Sequence, residues 1–307
     1  MNNKYQIDPQ FRILRPLRIK KYTRPIRLIS NACLRFISMF TRPSFQFSNK
    51  KIVIKKEGFK KIVLRVHKLR KNKHKSPLLF YMPGGGFQLE PTPIHLSMLR
   101  RIIKEANIMI VTIRYSLVPK YPYPTALNEC YDALLYLKKN HEKYKFDLNQ
   151  LYVGGDSAGG NLAAALSILA RDEKEVKIKK QMLIYPVIDA TQKTESMKLF
   201  TDTPMWNSIN NQQMWNLYLN NRRLRDLPYA SPNLCELNDL PEAYIEVAEF
   251  DCLRDEGINY ANQLKKAKNN VKLIETKGTV HGYDALYKKP IVKNLINERV
   301  NFIKNKV

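Results

Sequence analysis

Residues 151–161 read Leu-Tyr-Val-Gly-Gly-Asp-Ser-Ala-Gly-Gly-Asn, which places Ser157 between Gly155 and Gly159 where an apolar run gives way to helix-forming sequence. A serine in that setting predicts a nucleophile elbow, a sharp strand-to-helix turn whose strained backbone and close neighbours admit only small flanking residues. The constraint reaches beyond the turn. It requires a strand ending at Ser157, a helix starting just after it, and neighbouring chain packed tightly against both. From Ala158 through Leu166 the sequence favours a helix, and its N-terminus would direct amide donors and a positive dipole end at any oxyanion forming beside the serine. With glycine near 7% of average usage, the pentapeptide alone arises by chance in roughly one chain in ten of this length. Its meaning therefore depends on partners elsewhere.

The flanking sequence supplies the elements that the elbow needs. Residues 51–56 and 61–68 alternate around Glu57-Gly58 like an antiparallel hairpin. Pro77 to Met82 is a continuous apolar run, broken by Pro83-Gly84-Gly85-Gly86-Phe87, and residues 94–106 then predict a helix. Residues 108–113 predict a buried strand, 126–140 an amphipathic helix and 151–154 the strand before the elbow. A helix to about Arg171 and a strand over 180–185 follow. The alternation resumes with strand 241–248, helix 256–267, strand 271–276 and a final helix 291–304. This order implies right-handed crossovers and a largely parallel α/β sheet covered on both faces. Residues 190–228 interrupt it with polar, Trp-containing helical sequence after a strand's carboxyl end, where such sheets hold their ligands, so the insertion is expected to be a lid.

Composition sets the outer bounds. A chain of 307 residues with 44% hydrophobic content is long enough for one large core. Cys33, Cys130, Cys235 and Cys252 show no Cys-x-x-Cys spacing, and basic residues interrupt every apolar run near the start, so reduced thiols and a cytoplasmic location are expected. No stretch approaches eighteen uninterrupted apolar residues, which argues against a spanning helix. The net charge of +26 is unevenly placed: residues 1–75 hold 22 Lys and Arg against Asp8 and Glu57, a net +20, leaving +6 for the other 232 residues. That asymmetry suits peripheral contact with an anionic membrane through residues 1–75, or else a plain solvated basic face. Aromatic residues are not interleaved there as in a nucleic-acid module, so no nucleic-acid partner is expected. Within the basic segment, residues 25–40 set Ile26, Ile29, Cys33, Phe36, Ile37 and Phe40 on one face of an amphipathic helix.

A serine hydroxyl is a weak nucleophile that needs a general base within hydrogen-bond reach and an acid to hold the base's tautomer. Of five histidines, His67 and His74 lie in or after the Lys-rich hairpin, His95 starts a helix and His141 ends one; all four fit solvated or capping roles. His281 sits in Lys277-Gly278-Thr279-Val280-His281-Gly282-Tyr283, a glycine-flanked loop after the last predicted strand. Elbow serines take their partners in the chain order serine, acid, histidine, which makes His281 the expected base. Asp251, directly after the strand that ends near Phe250, is the expected acid. Asp255, at a helix start where a carboxylate also has structural reasons to be, is the alternative, and Glu249 lies nearer the strand. A glycine run such as Gly84-Gly85-Gly86 lets backbone N–H groups turn toward a substrate oxygen, so Gly85, Gly86 and Ala158 are the expected oxyanion-hole donors.

Taken together these motifs resemble the hormone-sensitive-lipase-like esterases, the fold-3 group of the α/β-hydrolase superfamily. The resemblance spans about residues 77–305. It rests on Pro83-Gly84-Gly85-Gly86-Phe87, Arg114-Tyr115-Ser116-Leu117-Val118-Pro119 followed by Tyr121-Pro122-Tyr123-Pro124, Gly155 to Asn161, Ser231-Pro232, Asp251 to Gly257, and His281-Gly282-Tyr283. It implies an α/β-hydrolase fold, with a mostly parallel eight-stranded sheet, helices on both faces and a helical cap. It also implies a serine carboxylesterase that acts on small-molecule esters of short to medium acyl chains through an acyl-enzyme, without cofactor or metal. Residues 1–45 and 190–228 match the two cap pieces in position, the catalytic domain being 46–307, so the amphipathic helix is expected to cover the site rather than lie on a membrane. A non-catalytic ligand-binding homologue should lack one of Ser157, Asp251 or His281, and all three are present; a membrane-surface lipase would use the basic segment. One departure stands out: the family usually has His, whose side chain braces the loop, where this chain has Pro83, which removes an imidazole and an N–H while fixing φ.

Overall fold

Apolar runs too short to be helices, bounded by proline, glycine or charge, become strands, and eight of them form one sheet in the computed structural model. The structure describes residues 4–305 apart from 20, 40–44, 56–60, 221, 224–226 and 228. Strands β1 (Phe47–Ile54) and β2 (Ile62–Leu69) pair antiparallel as the alternation predicts; the Glu57-Gly58 turn lies outside the described residues. The remaining strands are β3 (Ser76–Met82), β4 (Met109–Arg114), β5 (Phe146–Asp156), β6 (Lys180–Ile184), β7 (Glu242–Phe250) and β8 (Val271–Val280). They run parallel in the order β1-β2-β4-β3-β5-β6-β7-β8, with β2 antiparallel to both of its neighbours. Strand β3 is buried on both faces and therefore reads as a continuous apolar run rather than an alternating one.

The helices are α1 (Arg24–Met39), α2 (Pro93–Ala106), α3 (Thr125–Lys139), the short α4 (His141–Tyr144), α5 (Ala158–Glu173), α6 (Glu195–Leu199), α7 (Ser208–Leu219), α8 (Arg254–Lys266) and α9 (Pro290–Ile303). Small residues on α5 let it approach the sheet closely, and every residue from Ala158 to Ile168 is buried. Helix α2 packs with α9, and α3 with α5. Helices α6 and α7 occupy the insertion after β6, which is bound to the N-terminal segment by hydrogen bonds to that segment's carbonyls. Met205 N–H donates to the Leu17 carbonyl at 2.7 Å, Asn210 Nδ2 to the Ile19 carbonyl at 2.6 Å, and Gln213 Nε2 to the Tyr22 carbonyl at 2.8 Å. Among the described residues no helix is long and apolar enough to cross a membrane.

Two expectations need correction. His67 is not solvated: it is buried on β2, and desolvation, helped by Arg65 and Arg100, lowers its pKa to about 4, so it is a neutral core residue. Helix α1 forms where the periodicity placed it, but its apolar face does not cover the interior. Ile26, Ile29, Cys33, Phe36 and Ile37 are exposed, Phe40 lies outside the described residues, and the face turned inward carries Arg27 and Asn31.

Arg299 on α9 is fully buried, bidentate to Glu246 on β7 at 2.5 and 3.1 Å, and 3.0 Å from Asp284. Tyr283 also donates to Glu246. Removing one partner of such a cluster leaves buried charge uncompensated, typically at a cost of about 3–5 kcal/mol. Arg299→Met should therefore lose about that much stability in urea unfolding at pH 7; a loss within about 0.5 kcal/mol, the range of a plain surface change, would refute this.

Candidate active site

Strand β5 ends at Asp156, and Ser157 takes φ +55° and ψ −121°, the strained conformation that an elbow requires. The turn is held because Ser157 N–H donates to the Ile184 carbonyl at 2.9 Å while its own carbonyl accepts from Val187 and Asn161. A Cβ on Gly159 would lie 1.9 Å from the Met82 carbonyl oxygen, so the end of β3 passes where no side chain fits. The Gly-x-Ser-x-Gly spacing is thus a packing requirement.

Strands β7 and β8 deliver the partners. Their register slips after Ala248↔Thr276, so that Phe250 pairs with Val280, and the next residue on each strand is Asp251 and His281. His281 Nδ1 lies 2.7 Å from Asp251 Oδ2, and Nε2 lies 2.9 Å from Ser157 Oγ. Asp251 is fully buried, its Oδ1 accepting from Leu253 N–H at 3.0 Å, which aims the other oxygen at the imidazole. With Nδ1–H donated to the carboxylate, Nε2 is left to accept the serine proton. The alternative acid is engaged elsewhere: Asp255 accepts from Ser196 N–H at 2.6 Å and from Arg254, fastening α6. Glu249 accepts from Gly278 N–H at 2.7 Å.

The glycine loop follows β3. Gly85 and Gly86 take φ +137° and +58°, conformations that side chains resist, and a Cβ on Gly86 would come within 2.9 Å of the Trp206 ring. Among the described residues no loop or turn carbonyl accepts from the N–H of Gly85, Gly86 or Ala158. Phe87 stacks face to face on Tyr218 of α7 with centroids 3.7 Å apart, so the insertion grips this loop directly.

The α/β-hydrolase family model Abhydrolase_3 matches residues 79–285. A protein of Acanthamoeba polyphaga mimivirus named as an α/β hydrolase by similarity alone, R526, is 34% identical over 239 residues, covering 76% of this chain and 69% of its own. The Mycobacterium tuberculosis carboxylesterase NlhH is 31% identical over 231 residues, 74% of this chain and 72% of its own. Among solved structures, the esterase LipW from Mycobacterium marinum superposes with a TM-score of 0.89 at 25% identity, covering 98% of this chain and 96% of its own. The chain belongs to the hormone-sensitive-lipase-like α/β hydrolases.

Within that family the Pro83 departure has a local answer. His95, expected only to cap or face solvent, does cap α2, and its Nε2 also lies 2.9 Å from Asp156 Oδ2. Asp156 Oδ1 in turn accepts from Gly84 N–H at 3.1 Å and from the Tyr81 hydroxyl at 2.8 Å. Tyr115 donates to the Pro83 carbonyl at 2.7 Å. An imidazole from α2, a carboxylate from the elbow and a tyrosine after β4 therefore brace the loop. Burial opposes charge on both His95 and Asp156, but their mutual attraction wins, raising His95 to about 9 and lowering Asp156. The sequence does not announce this pairing, because Asp156 sits inside the elbow motif and His95 at a helix start, 61 positions apart, with nothing local to either that names the other.

Gln88 was also missed: it is buried beside Gly86, and neither of its amide atoms has a protein partner among the described residues. Trp206 lies 6.0 Å from the His281 ring, and Tyr185 4.7 Å on another side, with its hydroxyl 2.5 Å from Asp284.

The His95–Asp156 pair makes stability depend on pH with a definite sign. A histidine raised from about 6.5 unfolded to about 9 folded contributes fully below about pH 6.5 and loses that contribution as pH rises through 9. Urea unfolding of wild type and His95→Gln should differ most near pH 6 and converge toward pH 10. A difference that grows with pH would overturn the pairing.

Proposed function

We propose that the protein is a serine carboxylesterase acting on small-molecule esters of short to medium acyl chains, with Ser157 as nucleophile, His281 as general base and acid, and Asp251 orienting His281. The observation that carries this reading is the continuous hydrogen-bonded chain from Ser157 Oγ through both nitrogens of His281 to a buried carboxylate. Ser157 Oγ attacks the ester carbonyl as Nε2 takes its proton, and Asp251 stabilises the imidazolium. The N–H groups of Gly85, Gly86 and Ala158 receive the oxyanion. The imidazolium returns its proton to the leaving alcohol, and water attacks the acyl-enzyme by the same route in reverse.

The N-terminal segment to residue 45 and the insertion at 190–228 act as a two-part cap, residues 46–307 being the catalytic domain. The hydrogen bonds that join the two pieces, and the stacking of Phe87 on Tyr218, support this assignment. Trp206, beside Gly86 and the His281 ring, limits acyl length, and the buried Gln88 amide offers polar contacts to the substrate. The four cysteines are free, which supports a reducing, cytoplasmic setting.

Ser157→Ala should fold as wild type and lose hydrolysis of p-nitrophenyl acetate and butyrate to the uncatalysed background; undiminished turnover would reject the assignment. Asp251→Asn should lower kcat by roughly 10⁴-fold, the size seen when a triad acid is made neutral, whereas Asp255→Asn should stay within about tenfold of wild type. The reverse ranking would move the acid to Asp255.

A further inference from the structure

Helix α1 is turned over relative to what its sequence invites. Ile26, Ile29, Cys33 and Ile37, spaced i, i+3, i+7 and i+11, share one face, and that face looks outward: Ile26 is 39% exposed, Ile29 64% and Ile37 53%. The opposite, polar face holds the helix to the protein. Asn31 bonds the Gln88 carbonyl and the Glu90 N–H at 2.9 and 2.7 Å, and Arg35 pairs with Glu90 at 2.9 Å. Glu90 is also gripped by Arg114 at 2.6 Å. The outward orientation is thus anchored by specific polar contacts. Ile13 and Leu17, in the segment before α1, are exposed as well. An apolar stripe of this kind is rarely left to water without a partner.

Charge selects the partner. Residues 4–39 carry nine Lys and Arg against Asp8 alone, and α1 itself contains three Arg and no acidic residue. Lys21 and Arg24 lie exposed where the chain enters α1, and Arg12 lies exposed beside Ile13 in the segment before it, while Arg35 on the far face is paired with Glu90. A second copy would bring the same cations to the same face, and like charges oppose that contact. A surface that offers both acyl chains and anionic headgroups satisfies the outward apolar face of the helix and the basic segment that leads into it. We propose that α1 is an interfacial helix that seats the protein on anionic phospholipid membranes, its isoleucines entering the acyl boundary and the cations at its entry, Lys21 and Arg24 among them, meeting the headgroups. Because α1 rests on the Gln88–Glu90 loop next to Gly86, such docking sets the active-site side of the molecule close to the lipid surface. The assignment is independent of the chemistry at Ser157.

The test uses the full chain in vesicle flotation. Vesicles of phosphatidylcholine with 30 mol% phosphatidylserine should bind at least tenfold more protein than phosphatidylcholine alone at 50 mM NaCl, and binding should fall at least tenfold at 500 mM NaCl. Ile29→Ser combined with Ile37→Ser should lose at least tenfold of the binding while hydrolysing soluble p-nitrophenyl butyrate as wild type does. Lys21→Glu combined with Arg24→Glu should lose the preference for phosphatidylserine. Equal binding to both vesicle types, or undiminished binding by the serine variant, would overturn the proposal. So would sedimentation equilibrium showing that the serine variant converts a dimer to a monomer, since the stripe would then be a self-association face. Loss of hydrolysis by Ser157→Ala with vesicle binding intact would keep the two readings apart.

Discussion

The structure depends on the close passage of the end of β3 over the first turn of α5. The Met82 carbonyl lies where a Cβ on Gly159 would have to be, and one residue farther the Pro83 carbonyl is held by Tyr115, while Gly84 N–H bonds the side chain of the residue before the serine. One contact region therefore defines the strained Ser157 backbone and the position of the glycine loop relative to it. An oxyanion hole is useful only if its donors stand in place before charge develops. Here the same backbone crossing strains Ser157 and positions the glycine loop beside it.

Two buried charge clusters support the two sides of the site. Beneath the glycine loop, Asp156 is the hub for His95, Tyr81 and Gly84. Beneath the histidine, Arg299 gathers Glu246 and Asp284, and Asp284 reaches Tyr185, whose ring packs beside His281. Neither cluster touches a reacting atom. Each fixes a backbone segment through charges that are costly to leave unpaired. The insertion adds a third constraint at Phe87 and Trp206, linking the N-terminal segment to the glycine loop.

Much of this was legible in the sequence because backbone geometry had forced unusual residues. Gly159, the Gly84-Gly85-Gly86 run and the glycines flanking His281 exist for steric or conformational reasons, and steric demands leave readable patterns. The strand and helix order was legible for a similar reason: β3 and β4 lie buried within a parallel sheet and so become continuous apolar runs. What escaped was pairing at long range. Nothing local to His95 names Asp156, nothing local to Arg299 names Glu246, and the slip that sets Phe250 against Val280 is invisible in either strand alone. Helix α1 escaped for a different reason: periodicity identifies an apolar face without saying which way it turns, and here Asn31 and Arg35 turned it outward.

The central claim is that one serine, activated through His281, is the nucleophile of this fold. Intact-mass spectrometry after brief exposure to a fluorophosphonate, followed by peptide mapping, tests it most directly. The account predicts a single adduct, on Ser157, that forms at least a hundredfold more slowly in His281→Ala. A failure to label, an adduct on another residue, or labelling unaffected by loss of His281 would contradict it.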